Sequence, residues 1–501
     1  MKIKLDGHNY RYAVEQIMLA LFPEEKPEYS HEPVSGSDEF IVESRLRTCN
    51  MYAQVTTLIR RNREVSRGYA RVKRDKLTGR LATDRLLQRI VKQSFFRAAA
   101  DIIGTPPAWG SLTGIRPAKL AAAALETGVS RDATVKTLTR EFYVSQERAQ
   151  LCADAAQTSL MLKQTLEPRD IALYIGIPFC PSRCAYCSFV SNSVEKSFKL
   201  IEPFVKTLVG EIAAASEALR ELGSRVISVY IGGGTPTALP DDALEAIMLE
   251  LKTSIDLTRV REYTVEAGRP ETITSRNLGI ISRAGADRVC VNPQSMSAGV
   301  LAAIGRKHRP EDVFDAVRLV RQSKMALNMD LIAGLPGDTP EGFRQSLNTV
   351  LGFKPENLTV HTLSLKKGSR IMLEGTPVPD GGAVADMLGY ASCILRDSGY
   401  RPYYVYRQKF TSGGFENTGW CLPGYEGVYN VCMMEELCTV VAFGAGGVTK
   451  LVSGQNHANG DSTVRIERVF NAKYPREYIL SGDKIKGKMD KIREFMARDG
   501  V

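Results

Sequence analysis

Apolar and polar positions follow two rhythms along this chain, and the change near residue 170 divides it. Before that point, short strand-like runs at Phe40–Ser44 and Met51–Leu58 precede residues 96–168, where apolar positions recur at helical spacing. Thr105–Pro117, rich in Pro and Gly, interrupts that helical stretch. After Glu167-Pro168-Arg169-Asp170, β-rich apolar runs recur at Ile171–Ile177, Val226–Ile231, Glu262–Glu266, Arg288–Asn292, Leu327–Ile332 and Leu358–Leu363. Helical periods separate most of them, at Phe204–Leu222, Asp241–Leu251, Arg276–Ala284, Pro310–Gln322 and Pro340–Gly352. Strand, helix, strand at this interval predicts βαβ units and a parallel sheet in an α/β fold. Six such units predict a partial (β/α)6 TIM-like barrel, with ligands at the carboxyl ends of its strands. The expected organisation is an N-terminal α/β domain over 1–95, a helical segment over 96–168, a core barrel over 169–380 and a C-terminal α+β domain over 381–501. No internal repeat is visible.

Composition narrows the setting. Of 501 residues, 44% are apolar, enough to bury sizeable cores. No apolar run approaches the roughly 20 residues of a membrane span. Met1–Tyr12 lacks the apolar stretch of a signal peptide, so a cytoplasmic protein without a membrane partner is expected. The formal net charge of +10 is concentrated between Leu58 and Arg97, where 13 basic residues stand against 3 acidic ones. Such a segment can attract polyanions, RNA among them, or serve as a solvated helical face.

Ten cysteines are too few for a disulfide scaffold in a chain of this length, yet three of them crowd into one short segment. The segment is Tyr174-Ile-Gly-Ile-Pro-Phe-Cys180-Pro-Ser-Arg-Cys184-Ala-Tyr-Cys187, directly after the first predicted barrel strand. Thiolates are the usual protein ligands of iron–sulfur clusters. Three on one loop can hold three irons of a cubane and leave the fourth open to a substrate. A structural zinc site calls for a fourth nearby Cys or His, and this loop has none.

Cys-x3-Cys-x-aromatic-Cys resembles the signature of radical S-adenosylmethionine (SAM) enzymes. The resemblance implies a [4Fe–4S] cluster on Cys180, Cys184 and Cys187. SAM would chelate the unique iron and be cleaved to a 5′-deoxyadenosyl radical, with Tyr186 near the adenine. It also implies roles for residues at successive strand ends. Gly233, Gly234 and Thr235, in Ile231-Gly-Gly-Gly-Thr-Pro-Thr237, would approach the SAM amine. Glu266 and Gln294 would also contact SAM. Arg306, in Ile304-Gly-Arg-Lys-His308, would pair with the SAM carboxylate. Asp330 would accept from the ribose hydroxyls. His308 and His361 are expected to be local hydrogen-bonding residues rather than metal ligands.

Together these motifs resemble the oxygen-independent coproporphyrinogen III oxidase family over Ile171–Lys450. Trp109–Leu120, Tyr403–Lys409 and Gly444–Gly447 are similar to its HemZ-type branch. The family resemblance implies an oxidoreductase of porphyrin and heme biosynthesis. Its tetrapyrrole substrate would be coproporphyrinogen III, with propionates oxidatively decarboxylated to vinyls. Tyr174 would stand beside the cluster as a catalytic residue, and an electron donor such as flavodoxin or ferredoxin would be a partner. Lys and Arg residues would neutralise the substrate's carboxylates. The chain differs from the family in carrying Phe189 where the oxidases place a further cysteine, and Gly176 where they place a histidine. It has Tyr429-Asn-Val-Cys-Met-Met434 where heme-chaperone relatives have His-Asn-x-x-Tyr-Trp. A heme chaperone of the same family and a radical SAM enzyme modifying RNA are the alternatives.

Overall fold

Period-two burial builds the first part of the chain. The computed structural model describes residues 1–30, 40–62, 64–187, 192–366, 368–453 and 464–498. They divide into two compact units, one of 1–117 with 124–153, the other of 118–123 with 154–501. In the first, β1 (Lys2–Asp6), β2 (Glu28–Tyr29), β3 (Ile41–Thr48), β4 (Tyr52–Arg61) and β5 (Glu64–Lys73) form a sheet of order β2-β1-β3-β4-β5. Alternate residues of β4 (Ala53, Val55, Thr57 and Ile59) are buried with residues of α1 (Arg11–Leu21) and α2 (Arg80–Ile103). A Cβ on Gly68 would lie 1.8 Å from the Ser94 carbonyl oxygen, so only glycine lets α2 pack this close to β5. Strand β5 and the early start of α2 both fall inside the basic stretch. The inward residues of β5 are Ser66, Gly68, Ala70 and Val72, too small and polar to give a clear apolar rhythm. Helices α3 (Pro117–Glu126), α4 (Arg131–Phe142) and α5 (Gln146–Gln164) follow.

In the second unit the strands β6 (Asp170–Ile177), β9 (Arg225–Gly233), β10 (Glu262–Glu266), β11 (Arg288–Cys290), β12 (Ala326–Ala333) and β13 (Asn357–Thr362) run parallel and adjacent in chain order. The short pair β7 (Phe179–Cys180) and β8 (Asn192–Ser193) lies between the first two. Crossovers run through α6 (Val194–Glu221), α7 (Asp241–Ser254), α8 (Ser275–Arg283), α9 (Ala298–Ala303) with α10 (Pro310–Ser323), and α11 (Pro340–Gly352). These six βα strands are the expected partial barrel, and β6 is buried almost throughout, as a strand covered on both faces must be.

After α12 (Arg370–Glu374) and α13 (Gly381–Asp397), the C-terminal strands extend the same sheet at both ends. Strand β15 (Glu416–Cys421) pairs antiparallel with β13 and with β14 (Arg401–Arg407). After α14 (Val428–Glu435), β16 (Thr439–Gly444) pairs parallel with β6, and β17 (Val448–Val452) and β18 (Ile466–Phe470) continue outward. Helices α15 (Pro475–Ile479) and α16 (Gly482–Arg498) close the described chain. No helix among the described residues is long and apolar enough to cross a membrane.

A buried ion pair ties the chain's end to the barrel. Lys488 of α16 donates to Glu211 of α6 at 2.8 Å, with side-chain exposures of 2% and 0%. Glu211 also accepts from the Gly444 amide at 2.9 Å, Tyr478 hydroxyl at 2.6 Å and Asn471 amide at 2.9 Å. Gly444 has φ +84°, and a Cβ there would meet the Gly176 carbonyl oxygen at 2.2 Å. The network therefore fixes β16 against the strand that leads into the cysteine loop. Lys488→Met strands a buried carboxylate and is expected to cost about 3–5 kcal/mol, seen as an earlier denaturant midpoint for this unit. Adding Glu211→Leu should recover part of that loss.

Candidate functional site

The cysteine loop is held at three points. Phe179 is buried and meets Phe204 edge-on, with ring centroids 5.3 Å apart. The Ala185 amide donates to the Ile304 carbonyl at 2.9 Å. Arg269 donates to the Ser182 carbonyl at 2.6 Å and to Cys184 Sγ at 3.1 Å. Cys180 Sγ accepts from Thr235 Oγ1 at 3.4 Å. Burial pushes the Cys180 thiol up, and the Thr235 hydroxyl and Arg269 act against that. Phe189 lies outside the described residues.

The loop opens into a cavity of about 430 Å³ at the carboxyl ends of the strands. All twelve site residues expected from the sequence line it: Tyr174, Cys180, Cys184, Tyr186, Cys187, Gly233, Gly234, Thr235, Glu266, Gln294, Arg306 and Asp330. A Cβ at Gly234 would stand 2.4 Å from the Phe179 carbonyl oxygen, so the Gly-rich turn lies hard against the cysteine loop. Glu266 accepts from the Tyr230 hydroxyl and, at 2.9 Å, from Asn292 Nδ2. Asp330 accepts from Asn328 Nδ2 at 3.1 Å and stands 3.5 Å from His361 Nε2. Arg306 is already engaged: Nη1 donates to the carbonyls of Gly268 and Asn292 at 2.9 and 2.7 Å, and Nη2 to the Tyr186 hydroxyl at 3.2 Å. His308 is buried, with Nδ1 3.5 Å from Glu271.

Sequence reasoning missed part of this wall. Arg269, Asn292 and Asn328 lie within three residues of Glu266, Gln294 and Asp330, and His361, expected only as a local hydrogen-bonding residue, also lines the cavity. Their positions at strand ends were the available signal. Tyr230 precedes the Gly-rich turn and stacks on Tyr429 at 4.5 Å, and Tyr429 in turn stacks on Tyr174 at 5.9 Å. Thr359, Lys366, Tyr404, Tyr406, Gln408 and Asn430 also line the cavity. Tyr404, Tyr406 and Gln408 lie in Tyr403–Lys409 and Asn430 in Tyr429–Met434, but neither segment marks them as cavity residues; the pairing of β13, β15 and β14 and the placement of α14 bring them there.

Several features fit a bound cofactor. Asn292 Oδ1, Gln294 Oε1, Arg269 Nη1 and Arg306 Nε are buried around the cavity without a hydrogen-bond partner, a costly state unless a ligand supplies one. Gln294 also has φ +68°, in the left-handed region, strain of a kind that persists at functional sites. Among the described residues no three Cys, His, Asp or Glu side chains converge as on a single metal ion. Thiols binding three different irons of one cubane stand further apart than that.

Burial first, and the Asp330 carboxylate second, push Glu266 up to about 7, against the pull of its Tyr230 and Asn292 hydrogen bonds. His361 is raised by Asp330 despite its burial. Glu266 binds its proton more tightly folded than unfolded. Its contribution to stability is therefore full below about pH 4.5 and is lost as pH rises to about 7. Unfolding free energy measured from pH 4.5 to 7.5 should fall across that window, and Glu266→Gln should flatten the fall.

The comparisons with known proteins agree with this geometry. Residues 174–350 match the model of the radical SAM superfamily. The chain is 36% identical over 381 residues to the oxygen-independent coproporphyrinogen-III oxidase-like protein HemZ of Bacillus subtilis, covering 75% of each chain. It is 32% identical to the heme chaperone HemW of the same organism, over 49% of this chain and 64% of that one. The solved structure of coproporphyrinogen III oxidase (HemN) from Escherichia coli shares its fold, with TM-score 0.51 and 21% identity over 66% of this chain and 72% of that one. The cofactors are those of the superfamily, a [4Fe–4S] cluster and SAM. With a relative this similar over three quarters of its length, the chain belongs to the oxygen-independent coproporphyrinogen-III oxidase-like family of radical SAM proteins.

Proposed function

We propose that this chain is an oxidoreductase of porphyrin biosynthesis that decarboxylates propionate side chains of coproporphyrinogen III to vinyls. One observation carries the reading. The cysteines and the residues expected to hold SAM share a single cavity with aromatic and polar side chains such as Tyr404, Tyr406 and Gln408. Cofactor and substrate would thus meet in one chamber. Bound there, the cluster and SAM supply a 5′-deoxyadenosyl radical. The propionate would give up a β-hydrogen atom to that radical, then CO2, with one electron passing to an external one-electron acceptor, leaving the vinyl group.

The protein's own work is binding and positioning. Cys180, Cys184 and Cys187 would ligate the cluster. Gly233, Gly234, Thr235, Glu266, Gln294 and Asp330 would hold SAM. Arg306, tied to Tyr186 and two carbonyls, would orient the adenine-side wall, with its Nε left to meet the SAM carboxylate. Tyr174 would back the site through its stack on Tyr429. Lys366, half-buried in the cavity lining, would meet a substrate carboxylate; burial lowers its pKa in the absence of such a partner. A separate protein such as flavodoxin or ferredoxin would deliver the electron that reduces the cluster.

The HemW relatives motivate a second reading, a heme chaperone that keeps its cluster. Tyr429, at the head of the segment standing where those relatives carry their histidine motif, is buried between aromatic rings, which favours the enzyme.

Anaerobic reconstitution with iron and sulfide, dithionite reduction, and addition of SAM with coproporphyrinogen III is the test. 5′-Deoxyadenosine and a decarboxylated porphyrinogen are expected. Stoichiometric heme binding with no SAM cleavage would give the chaperone reading instead. Gln294→Gly relieves about 1–2 kcal/mol of left-handed strain, so it should leave thermal stability unchanged or raised. If Gln294 binds SAM, the same variant should form 5′-deoxyadenosine at least about tenfold more slowly.

A further inference from the structure

The basic stretch takes no part in the cavity, and the structure sorts it onto two faces of the N-terminal unit. The half in α2 is partly engaged. Arg89 pairs with Glu141 at 3.4 Å, Lys92 donates to Thr113 at 3.2 Å, and Arg97 to the Tyr143 hydroxyl and the Tyr69 carbonyl. The strand half is arranged differently. Strands β4 and β5 bury every second residue and turn the others outward, and β3 joins the outward face through Arg45 and Arg47.

On β5 the outward residues include Arg67, Tyr69, Arg71 and Lys73, all exposed. On β4 they include Tyr52, Gln54, Thr56 and Arg60, and β3 adds Arg45 and Arg47. Register aligns Tyr52 with Lys73, Gln54 with Arg71, Thr56 with Tyr69 and Leu58 with Arg67, so two tyrosine rings lie among the cations of this face. Arg71 sits 4.5 Å from the Tyr52 ring centroid. Tyr69 donates to Gln54 at 3.0 Å, which fixes its ring on the surface, where the residue is 39% exposed. Arg45 and Arg47 share one carboxylate, Asp6, at 2.8 and 2.9 Å. Arg60, Arg67 and Lys73 have no ion-pair partner among the described residues. Glu43 is the outward acid of these three strands that lies amid this surface.

We propose that this open sheet face binds single-stranded RNA. Alternate residues of a strand stand about 6.7 Å apart, so the β5 cations form a row that an extended phosphate backbone can follow. Tyrosine rings beside that row give unpaired bases a surface to stack on, which the stacked bases of a duplex cannot use. An acidic protein would match the charge but leave the tyrosines unused. The Thr56 hydroxyl and Gln54 amide, next to the rings, suit a 2′-hydroxyl.

The test is fluorescence anisotropy on the full-length, cluster-reconstituted protein with a labelled single-stranded RNA of about 12 nucleotides. With about four phosphates neutralised, affinity should fall roughly 50-fold between about 50 and 200 mM salt, a log–log slope near −3. Arg67→Gln with Arg71→Gln and Lys73→Gln should bring that slope to about −1. Tyr69→Leu should weaken binding at least about fivefold with the slope unchanged. Arg80→Gln with Arg85→Gln, on α2, should change neither. No binding at about 50 mM salt overturns the proposal. So does equal affinity for duplex or for single-stranded DNA, indifference to Tyr69→Leu, or equally effective competition by poly-glutamate, the acidic-protein outcome.

Discussion

Six parallel strands lying side by side in chain order are the constraint on which the rest of this structure depends. Every crossover returns the chain to the same end of the sheet, so each strand finishes at one common edge. Residues as distant as Cys180 and His361 thereby line one cavity. The helices cover the faces of that sheet, and the C-terminal strands extend it beyond β6 and β13. The Glu211–Lys488 pair then holds β16 beside β6, next to the strand that carries the cysteine loop.

The cavity is where local rules give way. Elsewhere a buried carboxylate can be fully satisfied, as Glu211 is by the four groups gathered round it. Around the cavity, atoms of Asn292, Gln294 and Arg306 are buried without a hydrogen-bond partner, and Gln294 is held left-handed. A carboxylate, Glu266, is kept near neutrality by burial and by its neighbour Asp330. Unpartnered buried atoms occur elsewhere too, on Ser228 and Asn357 for example, but among the described residues only at this cavity do they accompany a left-handed Gln294 and a carboxylate raised to about 7, a combination that fits a site shaped for something bound there.

Much of the barrel was legible because its signals are local. The helix at Pro340–Gly352 and the strand at Glu262–Glu266 have their predicted bounds, since a Pro start and a run of apolar residues are each read within one segment. Strand β5 was hidden by its own chemistry: its inward residues are small, and its outward ones made it look like part of a charged helix. Arg306 was legible as a residue of the site, but its engagement with Tyr186 and the carbonyls of Gly268 and Asn292 was not.

The sequence by itself determined what depends on spacing: three thiols on one loop, glycines at a strand end, and acids and amides at the ends of strands that must align. Tertiary structure alone decided which distant side chains complete the cavity. Tyr404 and Tyr406 reach it through antiparallel pairing added after the barrel, and Asn430 from α14, where its neighbour Tyr429 stacks on Tyr174 and Tyr230. It also decided how the basic stretch divides, because the turn from strand to helix sends neighbouring cations to opposite faces of one sheet. Those outcomes depend on contacts between residues far apart in the chain, which no local pattern records.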